Sequence, residues 1–451
     1  MTFKREKVYM RMARLYKMAL GVVLLACTLP AGLAAQTSST DTDKKISDLE
    51  KQLEAIHAEL NALKGKPATT PAAATPEAAA PAAAAPAAAP NPLAGITSVL
   101  GGVNMTGLAD VYYGYNANHP AGGTVTEPFS FRNDRFGLNL IELQLDKPVD
   151  KTTPLGFRVT LGFGDAMNAI NNASPNDGSN TATQYLKEGY LSYMAPIGKG
   201  LQFDFVKFVT PAGAEVLETN QNWNYSRSLL FYYAIPYYHF GARAKYTFND
   251  KWSITGYATN GWNNIASSNS GKTGGASIAW NATKKLTLTE TYLAGPGGPG
   301  FNGSNGAWNH LSDTVLAYNP TAKLSLQGNI DYDRQEDFVA TKKAADYTGI
   351  AAYIKYAVSP KVAVAGRYEY FNDHDGLATY GVAGPLIPHN HLNEVTGTIE
   401  RRLAGHLLSR LEVRHDDSNQ NFFQRGLPTF VKGQTTVDAG LVFVLEPSDT
   451  K

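Results

Sequence analysis

The chain has 451 residues, and its 40 Lys and Arg residues almost balance 39 Asp and Glu residues, giving a formal net charge of +1 at pH 7. This balance, without a basic stripe or a stacking module, argues against nucleic acid as a partner. The 24 Tyr and 19 Phe residues belong to a chain of slightly negative mean hydropathy without a long apolar run, which gives no sign of a membrane-spanning helix.

The amino terminus has the pattern of an export signal. Six Lys and Arg residues lie between positions 4 and 17, ahead of an apolar stretch at 18–29 and of small residues at Ala34 and Ala35. This order predicts a signal peptide over residues 1–35. The apolar stretch is too short and too interrupted to act as a membrane anchor. The single cysteine, Cys27, lies inside the signal, and the sequence leaves its lipidation open.

A heptad pattern follows the signal and predicts a coiled coil over residues 41–66. Its apolar positions are spaced alternately by three and four residues and comprise Ile46, Leu49, Leu53, Ile56, Leu60 and Leu63. Such a narrow seam is typical of helices that associate, because an isolated helix of this length is only marginally stable in water. We expect these six residues to drive oligomerisation. The mixture of Ile and Leu at both seam positions does not separate a dimer from a trimer.

Residues 67–95 are predicted to form an Ala/Pro-rich linker. The run at 67–92 contains little besides Ala and Pro, a composition that cannot bury a core and that favours extended conformations. At about 3.1 Å per residue, this run could reach on the order of 80 Å. The linker is therefore a spacer between the coiled coil and the rest of the chain.

From residue 103 to residue 445 the chain repeats one pattern, a stretch of about ten alternating residues followed by a break. Sixteen candidate strands are centred on Asp110, Ile141, Val159, Gly189, Phe205, Arg243, Gly256, Ser277, Thr289, Thr314, Gly328, Ala352, Gly366, Gly397, Leu411 and Gly440. Breaks after even-numbered strands are short, whereas breaks after odd-numbered strands are long and rich in Gly, Asn and Ser. The pattern predicts an all-β fold, a transmembrane antiparallel β-barrel of about 16 strands with both ends in the periplasm.

Individual strands show the two faces that this architecture requires. In the third predicted strand, Phe157 and Val159 have the parity opposite to Arg158 and Thr160, so the apolar set should face lipid and the polar set the interior. The second strand breaks the alternation near Leu140, which predicts a β-bulge there. A soluble all-β protein would also alternate, but the export signal and the unequal breaks argue against it.

A sixteen-stranded barrel is too wide for wall side chains alone to fill, so its permeability depends on a constriction. The longest break, residues 210–236, follows the fifth strand and contains Glu215, Glu218 and Arg227. In sixteen-stranded general porins the loop at this position narrows the pore, so by analogy we expect this segment to fold inward.

Charged residues with inward parity are the candidates for the pore wall. They are Arg243, Lys245, Arg367, Glu369, Arg410, Glu412 and Arg414. Facing the carboxylates of the loop, the cations among them would create a transverse field that orients polar solutes. The alternatives are that these charges pair with one another, or that the loop lies outside the barrel as a lid.

Several stretches of the predicted barrel resemble a known family. They are "GLADVYYGYN" near its start, "FVTPAGAEVLETNQNWNYSRSLLF", "AIPYYHFGARAKY" and "GRYEYFND". Together they are similar to the OmpL-like β-barrel porin family, over nearly all of residues 103–445. The resemblance implies a bacterial outer-membrane location and a channel role, and it brings no substrate. The coiled coil lies outside it, but it resembles the helices that precede the barrels of some other trimeric porins, which favours a trimer.

The leading hypothesis is an outer-membrane porin for passive diffusion of small hydrophilic solutes or ions, embedded in the lipid bilayer and assembled as a homotrimer, with its coiled coil in the periplasm. The main alternative is a structural barrel that its coiled coil tethers to the cell envelope. A barrel hydrolase is less favoured, because His239, His406 and the other histidines are scattered and no Ser, His and acid cluster emerges. We therefore predict no enzymatic activity, no cofactor and no metal site, and the selectivity remains open.

Overall fold

The computed structural model describes residues 102–130, 132–172, 183–265, 270–299, 303–380, 386–426 and 429–446. The chain divides into two units, residues 1–89 and 90–451, and every described residue belongs to the second. The predicted signal peptide with Cys27, the coiled coil with its six seam residues and the Ala/Pro linker lie outside the described residues. Within the described ranges, no helix is both long and apolar enough to cross a bilayer.

Sixteen antiparallel strands form one closed barrel, and each predicted strand centre lies within one of them, so the predicted sixteen-stranded barrel is confirmed. The barrel strands are Asn104–Asn116 (β1), Arg135–Lys147 (β2), Leu155–Phe163 (β3), Leu186–Ala195 (β4), Leu201–Val209 (β5), Tyr238–Thr247 (β6), Trp252–Thr259 (β7), Thr273–Thr283 (β8), Leu286–Pro296 (β9), Trp308–Tyr318 (β10), Leu324–Gln335 (β11), Ala345–Ser359 (β12), Val362–Asp373 (β13), Asn390–Ala404 (β14), Leu407–Ser418 (β15) and Gly433–Leu445 (β18).

Small elements lie within the long loops beside the barrel. The two-residue strands Phe423–Gln424 (β16) and Phe430–Val431 (β17) pair only with each other. A short helix, Asp165–Asn172 (α1), follows β3.

The barrel closes where its first and last strands pair, with Gly107 opposite Leu445 and Asn116 opposite Thr436. Each of the remaining pairings joins two barrel strands that are consecutive along the chain, β15 and β18 among them. Connections after even-numbered barrel strands are short turns, and those after odd-numbered strands are long loops. Because the strand count is even, the barrel begins and ends on the side of the short turns, which we call the short-turn rim.

Side-chain exposure follows the two predicted faces. On β3 the side chain of Leu155 is exposed and that of Thr160 is buried, and on β11 Ile330 is exposed beside the buried Asp331. Large apolar side chains thus cover the outer surface while polar side chains fill the interior. This arrangement is the reverse of a soluble protein and suits a barrel immersed in lipid.

Two β-bulges adjust the inward face. Where β1 pairs with β2, Asp110 is opposite Leu140 but Val111 is opposite Leu138, so the predicted bulge near Leu140 is confirmed. A second register shift lies between β3 and β4 and leaves Lys187 as the extra residue of β4. A bulge re-aims side chains, and the side chain of Lys187 is buried within the barrel.

Candidate functional site

The connection between β5 and β6, residues 210–237, lies against the polar inner faces of distant strands, and we call it loop L5. The amide of Thr210 donates to the carbonyl of Tyr237 at 3.0 Å and closes the base of the loop. L5 contains a 3-10 turn at Thr219–Gln221 and a π-helical turn at Leu230–Ala234. These irregular turns leave many backbone groups without partners inside the loop, so other parts of the chain must satisfy them.

Two wall carboxylates accept hydrogen bonds from the backbone of L5. On β15, Glu412 accepts from the amides of Tyr225 at 2.5 Å and Ser226 at 2.8 Å. On β13, Glu369 accepts from the amides of Leu229 at 2.9 Å and Leu230 at 3.1 Å. Hydrogen bonds to an ionised acceptor are about twice as strong as neutral ones, and each carboxylate here satisfies two successive amides.

Three wall arginines donate hydrogen bonds to L5 carbonyl oxygens. The pairs are Arg367 with Ser226 at 2.9 Å, Arg410 with Asn222 at 2.6 Å and Arg414 with Arg227 at 2.7 Å. The planar guanidinium group can serve several acceptors at once, which suits it to a curved backbone. Acidic and basic wall residues together therefore hold the main chain of L5 by both its donors and its acceptors.

The charges of this region also pair with one another. Arg367 lies 2.9 Å from Glu215 of L5, 2.9 Å from Glu394 on β14 and 3.2 Å from Glu369. All four side chains are at most 5% exposed. Removing one partner of a buried ion pair typically costs about 3–5 kcal/mol, because the other charge is left uncompensated. L5 is thus tied to the wall by groups that cannot be removed singly at low cost.

Glu218 of L5 pairs with the wall on the opposite side. The Nζ atom of Lys187, on the β4 bulge, forms ion pairs with Glu218 and with Glu142, the latter at 2.6 Å. Burial raises the pKa of Glu218, but the charge of Lys187 lowers it by more, so the pKa lies below its usual value. Glu218 therefore stays ionised and its charge is neutralised locally.

Tyr225 sits where the first and last strands of the barrel meet. Its hydroxyl donates to Asp110 on β1 at 2.8 Å, and Asp110 also accepts from Thr219. A Cβ atom placed on Gly440 of β18 would lie 2.3 Å from the Tyr225 ring. Only glycine at position 440 allows this close approach of the ring to the strand.

The second half of L5 packs through aromatic contacts. The ring centroids of Phe231 and Phe129 are 5.4 Å apart, and those of Tyr233 and Phe371 are 5.8 Å apart. Phe129 belongs to the loop after β1, so two long loops share this apolar cluster. Edge-to-face and tilted pairs of this kind each stabilise by about 0.5–1.5 kcal/mol beyond the area they bury.

A cavity of about 330 Å³ lies between L5 and the wall formed by β2–β6. Arg158 on β3 lines it, and Arg243 and Lys245 project from β6 on the same inner wall. The guanidinium of Arg243 bonds Asp204 at 2.7 Å and lies 4.8 Å from the ring centroid of Phe208. This side of the interior differs from the L5 contacts, because the side chains of Arg158, Arg243 and Lys245 remain accessible although Lys187 is buried.

The predicted site residues thus divide into two groups. Glu215, Glu218, Arg227, Arg367, Glu369, Arg410, Glu412 and Arg414 lie together at L5 and its contacts, whereas Arg243 and Lys245 lie across the cavity. In the first group the charges pair with one another, with the L5 backbone or, for Glu218, with Lys187 of the wall. Arg227 itself is buried and donates to L5 carbonyls, among them that of Val216 at 3.0 Å, and burial lowers its pKa. The transverse field expected from the sequence therefore lacks its negative side, because both carboxylates of L5 are paired.

Among the charged side chains that hold L5 directly or through Arg367, sequence reasoning missed Asp110, Glu394 and Lys187. Asp110 and Glu394 have inward parity on β1 and β14, so the alternation pattern contained the signal for both. Lys187 was not detectable in this way, because the bulge removes it from the alternation.

One group of possible metal ligands occurs in the described part of the chain, at the long-loop end. Single ligand atoms of Asp346, His374 and Asp375 lie within 4.8 Å of one another. The Nδ1 atom of His374 lies 3.2 Å from Asp375, its neighbour in the sequence, and the amide of Asp346 donates to Asp375 at 3.0 Å, so local contacts account for the grouping.

Comparison with known proteins gives a family and a fold. The family model described as "Putative beta-barrel porin-2, OmpL-like" matches residues 102–445. The solved structure of outer-membrane OmpT of Vibrio cholerae has a TM-score of 0.50 at 11% identity, covering 76% of this chain and 97% of that chain. Its in-vitro folded trimer form has a TM-score of 0.50 at 12% identity, with 76% and 98% coverage.

A third solved structure, an anion-selective porin from Comamonas acidovorans, has a TM-score of 0.49 at 10% identity and covers 76% of this chain and 99% of that chain. At such identities these similarities show the fold alone. No curated protein matched the chain.

Proposed function

Since the chain belongs to the OmpL-like family of putative β-barrel porins, and is thus a porin of the bacterial outer membrane, we propose that its barrel gives passive diffusion to small hydrophilic solutes through an opening narrowed by L5. The observation that carries the proposal is the anchoring of the L5 main chain by Glu369 and Glu412. A loop held by its own amides keeps one position, and solutes then meet an aperture of constant size.

The lining of the interior away from these anchors supports the same proposal. The inward side chains of β7–β9 are mostly small and hydroxyl-bearing, as at Thr255, Ser277 and Thr289. Small polar side chains leave space for water, and their hydroxyl groups can replace part of a solute's hydration shell. Passive permeation requires such a lining, because tight binding would stop the solute from leaving.

Reconstitution into planar bilayers tests the pore directly. Folded barrels should produce stepwise conductance increases in potassium chloride, and liposomes that carry them should swell in small sugars. Folding is verified beforehand by the shift in electrophoretic mobility between unheated and heated samples. Folded protein that inserts but produces no steps would refute the open pore.

The role of L5 requires a separate variant. Replacing residues 212–236 by a short Gly–Ser linker should increase the single-channel conductance about twofold or more. It should also raise the size limit for sugars, since the pore cross-section controls both quantities. The matched control shortens residues 297–307, the loop between β9 and β10, in the same way. Equal effects of the two deletions would show that L5 does not set the aperture.

We also propose that the barrels assemble as homotrimers through the heptad seam of residues 41–66, on the periplasmic side of the membrane. The spacing of the six seam residues supports association, and β1, which follows the linker in the sequence, begins at the short-turn rim. Multi-angle light scattering of detergent-solubilised protein tests this assembly. Deleting residues 41–92 should lower the oligomer order and leave the single-channel conductance per barrel intact.

A further inference from the structure

The short-turn rim carries an excess of positive charge. The first six short turns contain seven lysines and two aspartates, Asp150 and Asp250. All nine residues are exposed. Lys284 and Lys285 form the whole turn between β8 and β9. A ring of lysines at a pore mouth attracts anions and repels cations over roughly one Debye length, about 8–10 Å at physiological salt.

The opposite end of the barrel has no such excess. Apart from L5, the described residues of the long loops carry six Asp and Glu residues and six Lys and Arg residues. The adjacent pair Lys342 and Lys343, for example, follows the adjacent acids Glu336 and Asp337 within a single loop. The charge asymmetry between the two ends is therefore a property of this chain that the barrel architecture does not require.

The accessible charge beside L5 has the same sign as the rim. The side chains of Arg158 and Arg243 are 32% and 22% exposed, and their nearest acid partners are less exposed, at 19% for Asp146 and 3% for Asp204. Lys245, on the same inner wall, is exposed. Each acid is thus less exposed than its arginine, so a solute on this side of the interior meets more guanidinium than carboxylate surface. Field lines from such surface charges are concentrated by the low-dielectric walls of a narrow passage.

L5 does not offset this positive lining. Its carboxylates Glu215 and Glu218 are bound by Arg367 and Lys187, and their side chains are 5% and 14% exposed. A paired carboxylate presents little net charge to a passing ion. The loop that narrows the passage therefore leaves the positive wall as the dominant accessible charge.

We infer that the pore prefers small anions over cations. The lysines of the short-turn rim concentrate anions at one mouth, and Arg243 and Lys245 attract them beside L5. This inference rests on the proposed pore function and names its solute class. The selectivity acts through diffuse attraction rather than through a tight binding site. It should therefore weaken as salt concentration rises.

Reversal potentials in a potassium chloride gradient test the inference. At about 0.1 M salt the unmodified barrel should favour chloride over potassium about threefold, and near 1 M salt the ratio should approach one, because screening shortens the field to about 3 Å. The constriction variant removes the two cations of the inner wall beside L5, and it is Arg243→Gln with Lys245→Gln. The rim variant is Lys284→Gln with Lys285→Gln, which alters only a two-residue exposed turn and leaves the barrel interior unchanged.

The matched control is Lys342→Gln with Lys343→Gln, which removes the same charge from an adjacent, exposed lysine pair at the other end. Loss of about half the selectivity in the constriction and rim variants, with a smaller change in the control, supports the inference. Conductance without preference for chloride would overturn it and leave the pore intact. A control as strong as the rim variant would overturn the role of the rim. A barrel that conducts nothing would refute the pore and the inference together.

Discussion

Glu412→Gln should loosen L5 while leaving the barrel wall intact. The carboxylate of Glu412 accepts from two successive L5 amides and from the hydroxyl of Thr398 at 2.6 Å. Each hydrogen bond from a backbone amide to a charged acceptor contributes about 1.5–3 kcal/mol. Glutamine keeps one acceptor oxygen and turns an NH2 group toward the other amide, so the docking of L5 should lose about 2–4 kcal/mol. At 1.4 kcal/mol per factor of ten, the undocked fraction of L5 should rise about 30- to 700-fold.

Single-channel recording measures this change as open-channel noise and as visits to a larger conductance level. The matched control is Glu290→Gln, which alters an outward-facing carboxylate on β9 that accepts from Ser312 at 2.8 Å and does not contact L5. The control should record like the unmodified protein. If the two variants give the same noise and the same conductance levels, the carboxylate of Glu412 does not hold L5 and the reasoning is wrong.

Three further outcomes are expected. The charge of Lys187 lowers the pKa of Glu218 by more than burial raises it, so the net pKa lies below the ordinary value of 4.5. The contribution of Glu218 to L5 docking is therefore present at neutral pH and is lost as the pH falls below 4.5. Channel noise should increase there, and Glu218→Gln should show that noise already at pH 7. Gly440→Ala should force the ring of Tyr225 out of place and cost about 1–3 kcal/mol in thermal unfolding, whereas Gly397→Ala, which faces open space, should change stability by less than about 0.5 kcal/mol. Deleting residues 41–92 should reduce the number of protomers per assembly, obtained from light scattering as the molar mass divided by that of the shortened protomer, and an unchanged number would exclude the coiled coil as the assembly element.

The architecture was predictable because alternation is a repeated signal. Each of sixteen strands reports the same two-residue period, and the unequal breaks assign every turn to one side. Even the bulge in β2 was visible, because Leu138 and Ile141 both have to face outward and their spacing breaks the period. A wrong assignment of one strand does not alter the predicted architecture, since the neighbouring strands constrain the number of strands.

The site was less predictable because pairing depends on distance across the barrel. Parity indicated that Arg367, Glu369 and Glu412 point inward, but it carried no information on whether they meet solvent or L5. The decisive partners are backbone amides and carbonyls, which every residue possesses and no sequence pattern marks. The second long loop, with Phe129 against Phe231, was missed for the same reason, because one aromatic residue among polar ones gives no period.

The position of Tyr225 has a consequence for how the barrel is assembled. Its hydroxyl is bound to Asp110 on β1 and its ring lies against Gly440 on β18, the two strands whose pairing completes the cylinder. L5 therefore lines the join from inside, and the same side chains serve loop docking and closure. If the strands met first, L5 would have to enter a lumen already enclosed. We expect L5 to be in place before the last strand pairs, so that the barrel wall closes around a loop that is already docked.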